Sequence, residues 1–190
     1  MVGMLPEDKD NFYDRLQGSM ILPSGIVEFY PDATLVIDNQ GKVVAWNKAM
    51  EKMTGVPAGD MLGKGNYEYA VPFYGQRIPM LVDMVGLPAG EVSGRYTNVE
   101  AHDDKLEAMT IKAKARGKNV VLWVTAAMLY GLNGMPIGAI ESIRDVTSQK
   151  IIEKKLMESE EKFRLIITST TDGIVTIDTS GTITYVNPGG

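Results

Sequence analysis

Apolar and polar positions fall into the same short rhythm at two places along the chain. Ala33-Thr34-Leu35-Val36-Ile37 and Val43-Val44-Ala45-Trp46 flank a polar turn, Asp38-Asn39-Gln40-Gly41, which predicts a β-hairpin over roughly 34–46. The pattern returns 140 positions later as Ile174-Val175-Thr176-Ile177, the turn Asp178-Thr179-Ser180-Gly181, and Ile183-Thr184-Tyr185-Val186. Asp32/Asp172, Ile37/Ile177, Asp38/Asp178, Gly41/Gly181 and Asn47/Asn187 are identical between the copies. A lone hairpin is marginal in water. The second copy therefore reads as the start of a domain whose remainder belongs to a longer tandem protein.

Other periodicities fill in the rest. Phe12, Tyr13, Leu16 and Met20 are spaced for an amphipathic N-terminal helix, giving a helical extension over residues 1–26. Asn47 stands where a helix N-cap belongs, Lys48–Thr54 follows as a short helix, and Gly55 stops it. A further short helix is expected around 60–62. Ile78, Leu81, Val82 and Val85 fall at i, i+3, i+4 and i+7, predicting a helix over 78–86. The glycine-bearing polar stretch 88–104 reads as loop. Residues 106–114, 119–130 and 136–144 read as three strands, turned at Arg116-Gly117-Lys118 and Leu132-Asn133-Gly134. Two strands, several short helices, then three strands make an α+β domain, an antiparallel sheet with helices on one face. Beyond it Ile152, Leu156, Ser159, Phe163 and Ile166 step by 4, 3, 4 and 3. That is the seam of a coiled coil, or of a single helix laying its stripe on a neighbour.

Composition narrows the partners. With 44% hydrophobic and 23% charged residues among 190, the chain can bury a core. Its net charge of −5 opposes binding to nucleic acid or an anionic membrane. Cysteine is absent, which removes disulfides, thiolate metal sites, cysteine nucleophiles and thiol-linked flavin photochemistry. No run of 18 apolar residues and no signal-peptide order occur, so the segment is expected to be cytoplasmic. No phosphate-binding loop, nucleophile elbow or zinc-protease motif is present, and the segment is expected to be no enzyme. His102, the one imidazole, lies among Glu100, Asp103 and Asp104; this setting suits a surface loop rather than an axial haem ligand. No metal site is expected.

The opening Pro31-Asp32-Ala33 with Val36-Ile37-Asp38, Gly41 and Trp46-Asn47 resembles a PAS domain, as does the closing run Gly138–Arg144 into Asp145-Val146-Thr147. Glu160-Glu161-Lys162-Phe163-Arg164 is similar to the entry of a following PAS repeat. The resemblance covers roughly 27–147, with a helical connector over 148–162 and the beginning of a second PAS domain over 163–190. It implies a five-stranded antiparallel sheet whose short helices wall off an internal cavity. It also implies a role as the sensor of a signalling protein such as a multi-PAS histidine kinase, with catalytic domains beyond this segment. A small ligand or cofactor, of a kind the residues do not specify, would bind in the cavity. Trp46, Met50, Met53, Met84, Met109, Trp123 and Met128 are the candidate lining residues, adaptable thioethers and indoles that equally suit a filled core. Asp145 and Thr147 match the family's Asp-x-Thr motif, which couples the last strand to the connector. Homodimerisation through the N-terminal and connector helices is expected, and a ligand-free dimerisation and relay module is the alternative reading.

Overall fold

In a computed structural model, residues 27–187 are described, apart from 93, 95, 111, 170 and 171. The expected N-terminal helical extension, 1–26, lies outside the described residues. The chain divides into two compact units, at Val146/Thr147.

The first unit is built on one antiparallel sheet. Its strands are β1 (Ala33–Asp38), β2 (Val43–Trp46), β3 (Tyr96–His102) and β4 (Lys105–Thr110), and, after a small separate ribbon of β5 (Ala113–Ala115) and β6 (Lys118–Val120), β7 (Leu122–Tyr130) and β8 (Pro136–Asp145). The sheet order is β2-β1-β8-β7-β4-β3. β8 lies inside the sheet, paired along its length with β1 on one side and β7 on the other. Between β2 and β3 run the short helices α1 (Lys48–Thr54), α2 (Ala58–Met61), α3 (Val71–Tyr74) and α4 (Ala89–Val92), with 3-10 turns at Glu68–Ala70 and Leu81–Met84.

The architecture is the expected α+β one, with six strands in place of five. The extra strand is β3, from the polar stretch read as loop. Only Tyr96 is buried there, so no apolar alternation marks it. A register shift between Thr97 and Glu100, charged side chains and the positive φ of Asn98 (52°) suit this solvent-facing edge. The expected strand pair 106–114 and 119–130 is also interrupted. Arg116 and Gly117 both have positive φ, 48° and 77°, the two-residue turn that closes the tight β5–β6 ribbon. The helix expected over 78–86 shrinks to the 3-10 turn Leu81–Met84. Asp83 accepts the Met80 N–H at 2.7 Å, fixing the start there, and Val85 is already extended.

Alternation sorts the strands' side chains. Leu35, Ile37, Leu106, Ala108, Leu122, Val124, Ala126, Ala139 and Ile143 point to the helices and are buried. Met50, Tyr69, Phe73 and Leu81 fill the space opposite, all 0–1% exposed. Asn47 knots the entrance. Its Oδ1 accepts from Met50 N, the cap bond, and from Thr34 N, both at 2.9 Å, while Nδ2 donates to the carbonyls of Val27, Tyr30 and Asp32.

In the second unit α5 (Thr147–Ser169) is a 23-residue helix, about 34 Å long, running well past the expected 148–162. The hairpin of β9 (Val175–Ile177) and β10 (Ile183–Val186) follows. It repeats the first hairpin's strand register, its turn bonds and three of the five Asn47 bonds. Asn187 Oδ1 accepts from Ile174 N, and its Nδ2 donates to Ile167 O and Asp172 O. Asp178 Oδ1 caps its turn through Ser180 N and Thr182 N, as Asp38 Oδ1 does through Gln40 N and Lys42 N.

Candidate functional site

β8 carries one inward-facing residue that breaks the apolar rule. Glu141 sits between Ala139 and Ile143 in the buried phase of the strand, is 0% exposed, and pairs across the sheet with Leu35 and Ala126. Its Oε2 accepts the backbone N–H of Val82 at 2.6 Å, a bond between residues 59 apart in sequence. Its Oε1 has no hydrogen-bond partner among the described residues. Burial, reinforced by the neighbouring Asp83 and opposed by the Val82 N–H, pushes the Glu141 carboxyl up to about 8. Burial thus favours the neutral acid over the carboxylate at this site.

Asp83 lies one residue beyond Val82 on the same 3-10 turn. Its Oδ1 accepts the Tyr69 O–H at 2.5 Å and its Oδ2 accepts the Met80 N–H. Burial and the Asp83 carboxylate raise the Tyr69 phenol above its ordinary range, so it stays a donor. A buried acid on the last strand, an anchored acid on the 3-10 turn and a phenol from the preceding turn thus form one polar cluster in an apolar core. Sequence reasoning did not single out any of its members. The signal available was Glu141 itself, a charged residue in the same phase as Ala139 and Ile143.

The seven expected cavity residues are not brought together. Met50 is fully buried and Trp46 nearly so, but the Trp46 indole N–H donates to Val56 O at 3.0 Å and is not offered to a ligand. Met84 packs against the core from the 3-10 turn, partly buried. Met128 shares the inward phase of β7 near its end, where it pairs with Ala139. Met53 lines an open groove of about 560 Å³ beside Ala49, Val120 and the basic side chains of Lys52, Arg116 and Lys118. Met109 and Trp123 are corrections: they face each other across β4 and β7 in the phase opposite to Leu106, Ala108, Leu122 and Val124. They lie on the sheet's outer face, because a single-residue step in a strand reverses the side chain.

Of the other singled-out residues, Asn47 is the cap expected. Asp145 ends β8 and Thr147 opens α5. Asp32 and Arg144 form a two-pronged ion pair at 3.0 and 2.7 Å. His102, at the end of the edge strand, has a 71% exposed side chain. Among the described residues no cluster of His, Asp or Glu could hold a metal ion, and no helix is long and apolar enough to cross a membrane.

A sheet with helices on one face, followed by a long helix and a second matching hairpin, defines the class as an α+β domain with the opening hairpin of a second copy behind it. The PAS fold family model matches residues 27–151, and a second PAS domain model matches 161–190; the chain belongs to the PAS family. It is 23% identical over 159 residues to the signal transduction histidine-protein kinase AtoS of Escherichia coli, covering 84% of this chain and 23% of that protein. It is 25% identical over 166 residues to a phytochrome of Pinus sylvestris, covering 83% of this chain and 14% of the phytochrome. This chain therefore spans less than a quarter of either relative. Among solved structures, an RNA-binding light-oxygen-voltage receptor aligns with TM-score 0.52 at 15% identity, over 85% of this chain and 40% of that one. The PAS domain of BvgS from Bordetella pertussis aligns with TM-score 0.48 at 16% identity, over 78% and 99%. The chain thus carries a PAS domain followed by a segment that matches the start of a second one.

Proposed function

We propose that the first unit senses a small molecule or an equivalent change in its core and passes it through β8 to α5, for delivery to an output such as a histidine kinase. The carrying observation is the position of β8. It is bonded to a strand on each side, its Glu141 is tied to the helical wall at Val82, and it ends at Asp145, two residues before α5 begins. A displacement of the 81–84 turn would therefore reach the strand that leads out of the domain. This segment carries no catalysis in that reading; it works in the cytoplasm, and any kinase chemistry belongs to other domains.

Dimerisation through the N-terminal segment and α5 is part of the proposal. Ile152, Leu156, Phe163 and Ile166 are 56–67% exposed, a stripe at seam spacing that a second copy would cover. The ligand-free relay is the second reading, favoured by the closely filled core around Met50, Tyr69 and Phe73. Native against denaturing mass spectrometry of the purified chain separates the two. Excess mass on the native species supports a retained ligand and its size gives the class. A bare dimer supports the relay, and a bare monomer overturns the dimer.

A further inference from the structure

The core cluster has a property that neither ligand binding nor the relay requires. Glu141 is held by one hydrogen bond on one oxygen, while its other oxygen faces a core that supplies no partner among the described residues. The side chains surrounding it are apolar on both flanking strands: Leu35 and Ile37 from β1, Val124 and Ala126 from β7. The ionisable groups acting on this region come from the helical wall, Asp83 on the 3-10 turn and Tyr69 on the turn before it. Both Asp83 oxygens accept hydrogen bonds, the arrangement of a carboxylate.

We propose that Glu141, Asp83 and Tyr69 form a proton latch: the neutral Glu141 acid fastens the 81–84 turn to the exit strand, and its ionisation loosens that turn. When Glu141 gives its proton to a base in solvent, the Val82 N–H still serves Oε2, and that bond by itself favours the carboxylate. Oε1, however, becomes an unpaired charge in an apolar core, next to a second carboxylate one residue from the Val82 anchor. Two like charges so placed repel, and an unpaired buried charge draws in water. The movable part is the turn, a single 3-10 segment between Pro79 and Gly86, because β8 is held by strands on both sides. The stimulus is then a proton, or any bound group that stabilises the Glu141 carboxylate. The latch itself needs no ligand, so its test is independent of the sensing proposal.

The test uses the whole chain and two readouts. Infrared spectroscopy detects the carbonyl stretch of an un-ionised carboxylic acid, which should be present in the wild type at about pH 6.5 and fade by about pH 9.5. Glu141→Gln, which keeps the acceptor for Val82 but cannot ionise, should lack it throughout. Hydrogen exchange, corrected for the intrinsic pH dependence, should show protection of the Val82 amide falling about tenfold or more over that range in the wild type and staying level in the variant. An absent acid band near neutrality, or protection that is level with pH in the wild type, overturns the latch. So does an equal loss of protection in both proteins. If Glu141→Gln does not fold, Asp83→Asn serves instead. Removing the neighbouring charge should move the acid band's midpoint to lower pH, and an unmoved midpoint refutes the cluster.

Discussion

Replacing Asn47 by alanine should cost the first unit a large part of its stability. The side chain is 1% exposed and serves five backbone groups. Two of these, the N–H groups of Thr34 and Met50, are bonded in buried surroundings, and a buried donor left unsatisfied costs about 1–3 kcal/mol. The Met50 bond is also the α1 cap, for which alanine costs about 0.5–2 kcal/mol. The three carbonyls are only part-buried and water replaces most of what they lose. The sum is roughly 3–5 kcal/mol, against a total of about 5–15 for an ordinary domain. With a urea dependence of about 1–3 kcal/mol/M, the unfolding midpoint should fall by roughly 2 M. Tryptophan fluorescence reads this cleanly, because Trp46 and Trp123 are the chain's two indoles and both precede Thr147. Asn187→Ala, the same change in the repeated hairpin, should leave that midpoint where it is. A loss below about 1 kcal/mol for Asn47→Ala would refute the reasoning. So would an equal effect from Asn187→Ala, since the two units would then not unfold separately.

Gly138→Ala should destabilise the domain by about 2 kcal/mol or more, or prevent folding. A Cβ there would stand 2.1 Å from Ile37 O, and both atoms belong to paired backbones that cannot withdraw; a thermal melt measures the loss. Stability should also fall as pH rises. The Glu141 carboxyl, pushed from 4.5 up to about 8, binds its proton in the folded state where the unfolded chain has released it. Its contribution is whole below about pH 4.5, is lost progressively toward about pH 8 and is level above that, on the order of 5 kcal/mol in all. Urea titrations across that range should show the decline in the wild type and not in Glu141→Gln. The Asp32–Arg144 pair should contribute less than about 1 kcal/mol in a double-mutant cycle, because the Arg144 side chain is 63% exposed. Leu156→Asp, at a 59% exposed seam position, should abolish the proposed self-association in sedimentation with the first unit's melting unchanged.

The fold was legible where local chemistry sets the backbone alone. The Asp38 and Asp178 turns, the Asn47 cap and the Gly55 stop each depend on one side chain bonding its near neighbours, and residue type with spacing suffices to find them. β3 was hidden because an edge strand need bury little; six of its seven residues keep contact with solvent. The spacing over 78–86 overstates the helix because i, i+3, i+4 positions serve a 3-10 turn as well as an α-helix. The cap at Asp83 and the extended Val85 decided the length.

The candidate site was illegible for a different reason, which lies in strand phase. Met109 and Trp123 looked like cavity residues by type, and type does not say which face of a sheet a side chain takes. A run such as Leu122-Trp123-Val124-Thr125-Ala126-Ala127-Met128 is apolar in both phases, so the pattern cannot choose. The choice is made by partners distant in sequence: Leu106 and Ala108 on β4, Ala139 and Ile143 on β8. Glu141 is the converse case. Its phase is fixed by Ala139 and Ile143, and had that phase been applied, a buried acid would have followed from the sequence. What makes the acid tolerable could not have followed. The Val82 N–H arrives from 59 residues away, and it is free to bond because the first N–H groups of a 3-10 turn have no partner within the turn. The polar cluster is therefore a product of tertiary packing alone. Shortening the side chain by one methylene, Glu141→Asp, should expose that dependence. The shorter side chain keeps the acid but withdraws it from Val82. Protection of the Val82 amide should then be low even at about pH 6.5, where the wild type is latched. Equal protection in the two proteins would mean that the turn is held by its apolar contacts and that the hydrogen bond is incidental.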